Sequence, residues 1–212
     1  MILFELFRSE ANPVYQALEV ENGARQYDFM RSLIETAIST NKIFLSQHII
    51  KMLNFHAIAC LHTNAGEYRP CHVTVGAHTP PHHWQISALM DDFINEVNKN
   101  WGDVDAVSLA AFVYWRINHI HPFINGNGRT ARVASFYVLC LKLGGLMQGH
   151  PALPALLKRE KAACCAALQH AHETYHAGTL DLEPMHKIMA DLISEQLQSV
   201  ANTPSTAATQ DA

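Results

Sequence analysis

Apolar residues recur at the spacing of amphipathic helices along most of this chain. The clearest segment is 85–99, whose apolar positions are Ile86, Leu89, Met90, Phe93, Ile94 and Val97. Further helices are predicted at about 22–40, 46–62, 105–118, 128–143, 152–177 and 181–199. The segment 105–118 is apolar on nearly every side, which is typical of a helix at the centre of a fold. The pattern therefore predicts an all-α protein.

A segment rich in glycine and proline interrupts this helical pattern after residue 62. Within it, residues 71–75 alternate like a β-strand, which predicts a short β-hairpin flap at about 69–79. Pro13 is expected to break any earlier helix, and Ser46 to cap the helix that follows it. We divide the chain into an N-terminal helical extension at 1–44, a main domain at 45–200 and a polar tail at 201–212 that is predicted to be disordered.

Composition places broad limits on function. The 212 residues are 49% hydrophobic and carry a formal net charge of -4, which excludes a disordered chain and does not favour a nucleic-acid partner. Five cysteines without a C-x-x-C pair indicate reduced thiols and a cytoplasmic location. We find no signal peptide and no membrane span, although delivery by a specialised secretion system would leave no such mark.

The most informative stretch is 121–132, with the sequence HPFINGNGRTAR, which leads into a predicted helix. Gly126 and Gly128 permit positive φ and a close backbone approach, and the free N–H groups at a helix start attract anions. Arg129 and Arg132 project from the same side of the first turn, where guanidinium groups can bind phosphate oxygens. The stretch therefore predicts a phosphate-binding cradle.

His121 stands directly before this cradle. Pro122 is expected to restrict His121 to an extended conformation, and Phe123 to anchor the loop in the core. A neutral imidazole beside bound phosphate can remove a proton from an attacking hydroxyl, while the cradle stabilises the charge that develops. The residues thus predict attack of a hydroxyl on phosphorus, with His121 as the general base.

This stretch resembles the motif of the Fic (filamentation induced by cAMP) family, H-P-F-x-(D/E)-G-N-G-R-x-x-R, and departs from it at one position. The sequence GEYR at 66–69 is similar to the G-x-(Y/F)-R that opens the family's flap, and the helices around the motif fit the family core over roughly 45–195. The resemblance implies the helical bundle of the Fic fold, with 45–200 as the Fic domain.

The resemblance also implies a protein adenylyltransferase, a nucleotidyltransferase that moves AMP from ATP to a Ser, Thr or Tyr hydroxyl of a target protein. His121 would be the general base, with Tyr68 and Arg69 as structural residues at the base of the flap. The phosphates of ATP would be held by Gly126, Asn127, Gly128, Arg129 and Arg132. The flap would align the main chain of the target by strand addition. Its residues are Cys71, His72, Val73, Thr74 and Val75.

Asn125 stands where the family usually has an acidic residue that binds Mg²⁺ together with the phosphates. An amide oxygen can still ligate Mg²⁺, but it brings no negative charge, so weaker metal binding is expected. Two alternatives stay open: the site transfers UMP, phosphocholine or phosphate, or the chain is a catalytically weak module that binds a nucleotide or a partner. The family's Doc-like kinases have lysine in place of the retained Gly128, which argues against phosphate transfer.

Many relatives carry an inhibitory helix, (S/T)-x-x-x-E-(G/N), whose glutamate pairs with the second arginine of the motif. The sequence ALEVEN at 17–22 comes close, and it makes Glu21 the candidate inhibitory residue. Residues 179–183 also have the spacing, but Pro184 follows them. Because neither match is clean, we expect an unrestrained enzyme or one controlled by an antitoxin-like partner; a homo-oligomer is also compatible with the sequence.

His119 and His121 form an H-x-H pair, which leaves open an interpretation as metal ligands. His82, His83 and Asp91 or Asp92 could complete such a site. Because residues two apart diverge at a helix end, His119 is expected instead to cap the helix or support the loop. The remaining helical histidines are expected on helix surfaces or satisfied in the core, among them His170, His172 and His176.

Overall fold

A computed structural model of the chain describes residues 2–201 and confirms the all-α class. Nine α-helices follow one another in this part of the chain. They are α1 (Leu3–Phe7), α2 (Pro13–Ser39), α3 (Gln47–Ile58), α4 (Ile86–Lys99), α5 (Ala106–Ile120), α6 (Asn127–Lys142), α7 (Leu153–Arg159), α8 (Lys161–His176) and α9 (Glu183–Ala201). No helix within residues 2–201 combines the length and the apolar character that crossing a membrane requires.

Helices α5 and α6 pack against each other at the centre of the fold. Ile117 of α5 and Phe136 of α6 are fully buried there. Burying a side chain of this size contributes about 1.5–3 kcal/mol. The short connection between the two central helices, residues 121–126, is therefore held at both ends by the core. This connection carries the candidate chemistry.

Two helices begin directly after a polar residue whose side chain caps them. The Ser46 hydroxyl accepts a hydrogen bond from the Ile49 N–H at 3.2 Å, which confirms Ser46 as the cap of α3. Asn12 caps α2 in the same way, and Pro13 occupies its first turn, where the missing N–H costs nothing. Pro13 therefore begins a helix, and α2 extends nine residues further toward the N-terminus than the predicted start at 22.

Two predicted elements differ in the structure. The hairpin flap is reduced to one antiparallel bridge, in which the backbones of Val75 and His78 exchange hydrogen bonds at 3.0 and 2.9 Å. The helix predicted over 152–177 is divided into α7 and α8 at Glu160, which no glycine or proline marks in the sequence. The tail predicted to be disordered lies, apart from Ala201 at the end of α9, outside the described residues.

The N-terminal extension packs onto the main domain through α2. Met30 and Ile34 of α2 are fully buried in the same core as α5 and α6. Gln26 donates a hydrogen bond to the Leu53 carbonyl of α3 at 2.9 Å, and Asn22 donates to the Ala59 carbonyl at 2.9 Å. These contacts bring the first half of α2 beside the loop that precedes α6.

Candidate active site

His121 is the residue at which α5 ends. Its backbone is left-handed, with φ 51° and ψ 58°, so the extended conformation expected before Pro122 is wrong. The N–H of His121 donates to the Ile117 carbonyl at 2.9 Å and closes the last turn of α5. The Arg69 side chain donates from Nε to the His121 carbonyl at 2.8 Å. These two hydrogen bonds stabilise a backbone conformation of His121 that the following proline disfavours.

The imidazole of His121 is largely buried and neutral. Burial lowers the pKa of His121 to about 4, and the Asn118 carbonyl opposes part of that shift. Its Nδ1 is buried without a hydrogen-bond partner among the described residues. A neutral imidazole in this position can accept a proton from a reacting hydroxyl.

The loop after His121 is anchored on Phe123, which is fully buried. The Phe123 and Tyr68 rings lie 5.8 Å apart, and the two residues form an antiparallel bridge. The Pro122 carbonyl accepts a hydrogen bond from the Arg69 N–H at 2.8 Å. The structure thus brings together the four residues expected to be structural anchors.

Arg69 joins this loop to both ends of the flap. Its guanidinium donates to the carbonyls of His121, Cys71 and Pro81, and the residue is only 2% exposed. A buried guanidinium has five N–H groups to satisfy, and three backbone carbonyls accept from this one. Arg69 therefore fixes the flap relative to the loop that carries the candidate base.

Asn127 begins α6, but its side chain serves the loop. Its Oδ1 accepts from the Phe123 N–H at 2.9 Å, and its Nδ2 donates to the Phe123 carbonyl at 2.9 Å. Both contacts are buried, and Asn127 is 3% exposed. The side chain therefore holds the loop in shape, whereas the resemblance assigns it to the phosphates.

Gly126 precedes α6 in a conformation that only glycine adopts easily. Its φ is +77°, and a Cβ atom there would lie 2.6 Å from Ile58 Cγ2. Asn54, fully buried on α3, donates to the Asn125 carbonyl at 2.9 Å and accepts from the Gly66 N–H at 3.1 Å. Asn54 was not predicted as a site residue, because only the contact between α3 and the loop reveals its role.

The N-terminus of α6 has backbone N–H groups of the kind that bind anions. No side chain caps it. The N–H groups of its first residues have no partner within the helix, as in any α-helix. A Cβ atom added to Gly128 would lie 3.6 Å from Arg132 Nη1, so the Arg132 guanidinium stands beside this turn. Within residues 2–201 no salt bridge involves Arg132.

Arg129 is held by a carboxylate. Its Nη1 lies 3.0 Å from Glu19 Oε1 of α2, and it also donates to the Ala57 carbonyl at 3.0 Å. Its Nη2 donates to Asn125 Oδ1 at 2.7 Å, and Asn125 Nδ2 donates in turn to Glu10 at 3.0 Å. A carboxylate thus occupies one of the two guanidinium groups that a phosphate would need.

The structure does not bring Glu21, the candidate inhibitory residue, to the cradle. Glu21 pairs with Arg25 at 3.1 Å, and its side chain is 63% exposed. Glu19 reaches the cradle instead, and it contacts the first arginine of the motif. The reason is the helical period: Glu19 follows the buried Tyr15 by four residues and precedes the buried Asn22 by three.

A second polar group on the N-terminal side was not predicted from the sequence. Glu10 lies 3.3 Å from His62, whose Nε2 is 2.8 Å from the Tyr15 hydroxyl. Burial lowers the pKa of His62, although Glu10 opposes that shift, and burial raises the pKa of Tyr15 to about 12. Because Glu10 also contacts Asn125, this group connects α2 and its preceding turn to the loop.

The flap residues expected to dock a target are largely exposed. Within the described residues, no backbone–backbone hydrogen bond involves His72, Val73 or Thr74. Cys71 uses its carbonyl for Arg69, and Val75 pairs with His78. The backbone groups of His72, Val73 and Thr74 are therefore not used by the rest of the described backbone.

The H-x-H interpretation is not supported in its predicted form. His119 lies in a group with His78 and His172, and neither His121 nor the pair at 82–83 belongs to it. Asp91 contacts the Gln47 side chain. His172, expected as an ordinary helical histidine, is thus part of a partly buried cluster.

The family comparison agrees with this geometry. The model of the Fic/DOC family matches residues 44–139, which include α3, the flap, α5 and the loop before α6. The resemblance to the Fic family seen in the sequence is thus confirmed over this segment.

Individual relatives and solved structures also resemble this chain. "Protein adenylyltransferase Fic" of Drosophila grimshawi is 30% identical over 133 residues, which is 62% of this chain and 25% of that protein. The chain thus spans a quarter of the length of that relative. Fic-1 of C. elegans (aa134–508) has a TM-score of 0.70 at 19% identity, over 89% of this chain and 53% of that one. BepC of Bartonella tribocorum, solved with bound AMPPNP, has a TM-score of 0.51 at 15% identity, over 79% and 86%. The two solved structures share the fold.

Proposed function

We propose that this chain is a protein adenylyltransferase, which transfers AMP from ATP to a Ser, Thr or Tyr hydroxyl of a target protein. The observation that carries the proposal is the neutral, buried imidazole of His121 beside the uncapped N-terminus of α6 and the Arg132 guanidinium. The activity in the name of the Drosophila relative supports the choice of donor, and AMPPNP bound to BepC is consistent with it.

In the proposed reaction, the target hydroxyl oxygen attacks the α-phosphorus of ATP. Its proton passes to the imidazole of His121, and the bond from the α-phosphorus to the bridging oxygen breaks to release pyrophosphate. The open N–H groups at the start of α6 would stabilise charge on the phosphate oxygens, with Arg132 beside them. Arg129 would join them once Glu19 is displaced.

A bound polyphosphate would also raise the pKa of His121 and make it a stronger base. Burial lowers the pKa of His121 to about 4 in the structure, which is low for a group that must accept a proton near neutral pH. Negative charge close to an imidazole favours its protonated form and raises its pKa. The substrate therefore prepares His121 for proton transfer.

The residues present do not form a preformed magnesium site. Asn125 Oδ1, the ligand expected from the resemblance, accepts a hydrogen bond from Arg129 at 2.7 Å. An amide oxygen engaged in this way offers little to a hard cation. We therefore propose that Mg²⁺ enters with ATP as part of the substrate, and no step above depends on a protein-bound metal.

The target would dock along the flap. The main-chain groups of His72, Val73 and Thr74 are available for strand addition. Glu19 of α2 places a carboxylate on Arg129 from within the chain. An antitoxin-like partner would act on the second arginine of the motif, Arg132. The cytoplasmic location stays a prediction, and the five free cysteines are consistent with it.

The direct test is labelling of proteins by purified protein with Mg²⁺ and labelled ATP. His121→Ala is expected to abolish labelling while nucleotide binding is retained. His186→Ala is the matched control, because His186 contacts Asp105 at the other end of α5, about 24 Å along the helix from His121. Labelling that survives His121→Ala, with the added mass of AMP, refutes the role of His121 as the base.

A specific observation favours a second candidate, a binding module with weak catalysis. Asn125 and Glu19 together engage Arg129, one of the two guanidinium groups of the cradle. Asn125→Asp restores the family's acidic residue, and Asn125→Ala controls for loss of the amide contacts. A gain of labelling only in Asn125→Asp indicates a weakened metal site. Retained ATP binding without any gain supports the binding role.

A further inference from the structure

Three histidines from separate segments meet behind the catalytic loop. His78 lies at the turn of the flap, His119 near the end of α5, and His172 on α8. One ring nitrogen from each lies within 4.8 Å of the others. In the described part of the chain, this is the one set of three or more His, Cys, Asp or Glu side chains that is so close.

The spacing within this histidine cluster is close to that of a zinc site. Nδ1 of His119 and Nδ1 of His172 are 3.2 Å apart. Two nitrogens bound to tetrahedral zinc at the usual bond length are separated by about 3.3–3.4 Å. The nitrogens of His119 and His172 are therefore already at the separation of two ligands of a tetrahedral zinc ion. A ring nitrogen of His78 would have to approach them by about 1.5 Å at most to become the third ligand.

The hydrogen bonds indicate which ring nitrogens of the cluster are protonated. His78 Nε2 lies 2.8 Å from the His119 carbonyl, which can only accept, so this nitrogen carries the proton and Nδ1 keeps its lone pair. A backbone carbonyl on the remote nitrogen is the usual partner of a metal-bound histidine. Trp115 donates to His172 Nδ1 at 3.2 Å, so that nitrogen is unprotonated and its lone pair is engaged by Trp115. His119 Nδ1, 3.2 Å from the same nitrogen, therefore carries the proton between the two rings. To bind a divalent cation, His119 would carry its proton on Nε2 instead, and the cation would replace the Trp115 hydrogen bond on His172 Nδ1.

The surroundings favour neutral imidazoles. His119 is 5% exposed and stacks on Trp115 with ring centroids 5.1 Å apart. Burial lowers the pKa of His119 to about 3 and that of His172 to about 4, and no carboxylate contributes to either shift. The Arg116 guanidinium, which lies over the Trp115 ring at 5.5 Å, acts against a cation, and so does His176 when it is protonated. Three neutral histidines without a carboxylate are nevertheless a sufficient ligand set for zinc.

We propose that His78, His119 and His172 bind a divalent transition-metal cation of the zinc class, with a fourth position open to water. Imidazole nitrogen suits Zn²⁺, Co²⁺ and Cu²⁺ and not Mg²⁺, so this site is distinct from any magnesium that accompanies ATP. The cation would fasten the turn of the flap to α5 and α8. The proposal is independent of the proposed function, since none of the three residues belongs to the phosphate cradle.

Cobalt and zinc titrations of the full chain without an affinity tag test the site. Tetrahedral Co²⁺ gives an intense visible absorption, and calorimetry with Zn²⁺ gives the stoichiometry and the affinity. We expect one equivalent of each cation, and a rise in thermal stability with Zn²⁺. His78→Gln and His172→Gln should each weaken binding by about tenfold or more. His170→Gln is the matched control, because His170 lies on α8 as well, faces Asp181 at 2.7 Å and stands outside the cluster.

Each outcome is decisive. Binding lost in His78→Gln and His172→Gln but kept in His170→Gln supports the site, and His78→Gln alone suffices if the α8 variant does not fold. No cobalt absorption and no zinc heat in the unmodified chain overturn the proposal. Equal binding by all variants, or equal loss in all three, also overturns it, because the cation would then sit on other histidines of the surface.

Discussion

Glu19→Gln tests whether the carboxylate on α2 competes with a nucleotide for Arg129. The two side chains are 3.0 Å apart and 39% and 18% exposed, so water screens the pair only in part. Hydrogen bonds to charged groups contribute about 1.5–3 kcal/mol, and partial exposure reduces this to about 1–2 kcal/mol. Glutamine keeps the size and removes the charge. A polyphosphate that must displace residue 19 should therefore bind about five to thirty times more tightly.

Calorimetric titration with Mg·AMPPNP measures this affinity without turnover. Glu21→Gln is a closely matched control, because it removes the same charge from the same helix two residues away. Glu21 pairs with Arg25 on the exposed side of α2, so its substitution should leave the affinity unchanged. Labelling of target protein at low ATP should increase in Glu19→Gln by the same factor as the affinity.

Two results would refute this reasoning. If Glu19→Gln binds Mg·AMPPNP no more tightly than the unmodified chain, the contact with Arg129 does not limit nucleotide entry. If Glu21→Gln gives the same gain as Glu19→Gln, the effect belongs to the net charge of the protein and not to one ion pair.

Two further predictions concern stability and are measured by urea denaturation. Gly126→Ala should lower the free energy of unfolding by about 2 kcal/mol or more, because φ is +77° and the new Cβ would meet Ile58 Cγ2 at 2.6 Å. Gly23→Ala, in open space within α2, should raise it by about 0.5–1 kcal/mol, and the opposite order would contradict the geometry. Burial holds the pKa of His121 at about 4 in the folded state, whereas it is about 6.5 when unfolded. The unfolded chain therefore binds more protons between these values, so this stability is complete above about pH 6.5 and is lost as the pH falls toward 4. At pH 5 the loss from His121 is about 2 kcal/mol relative to pH 7, and an unchanged urea midpoint would count against a buried neutral imidazole.

The sequence predicted the elements that depend on local pattern. The segment 85–99 became α4 with Ile86, Met90, Phe93 and Val97 buried, as its apolar period requires. The glycine before α6 and the capping serine of α3 were also identified, because each residue type satisfies a local backbone need.

The sequence could not predict what depends on contacts between distant segments. Asn54 and Glu19 reach the loop only because α3 and α2 pack beside it, and neither belongs to the motif. His121 is left-handed because Arg69, 52 residues away, holds its carbonyl. The division of a predicted helix at Glu160 likewise has no local signal.

Arg69 connects the flap to the loop that carries His121, and this connection bears on how a target would be chosen. Arg69 donates to carbonyls at both ends of the flap and to the His121 carbonyl. The edge of the flap at 71–75 is therefore held in a fixed position relative to the loop that carries the imidazole. If a target docks on this edge as proposed, its hydrogen-bond register would decide which of its hydroxyl groups reaches His121. A shift of one residue in that register would then turn a different side chain toward the phosphate.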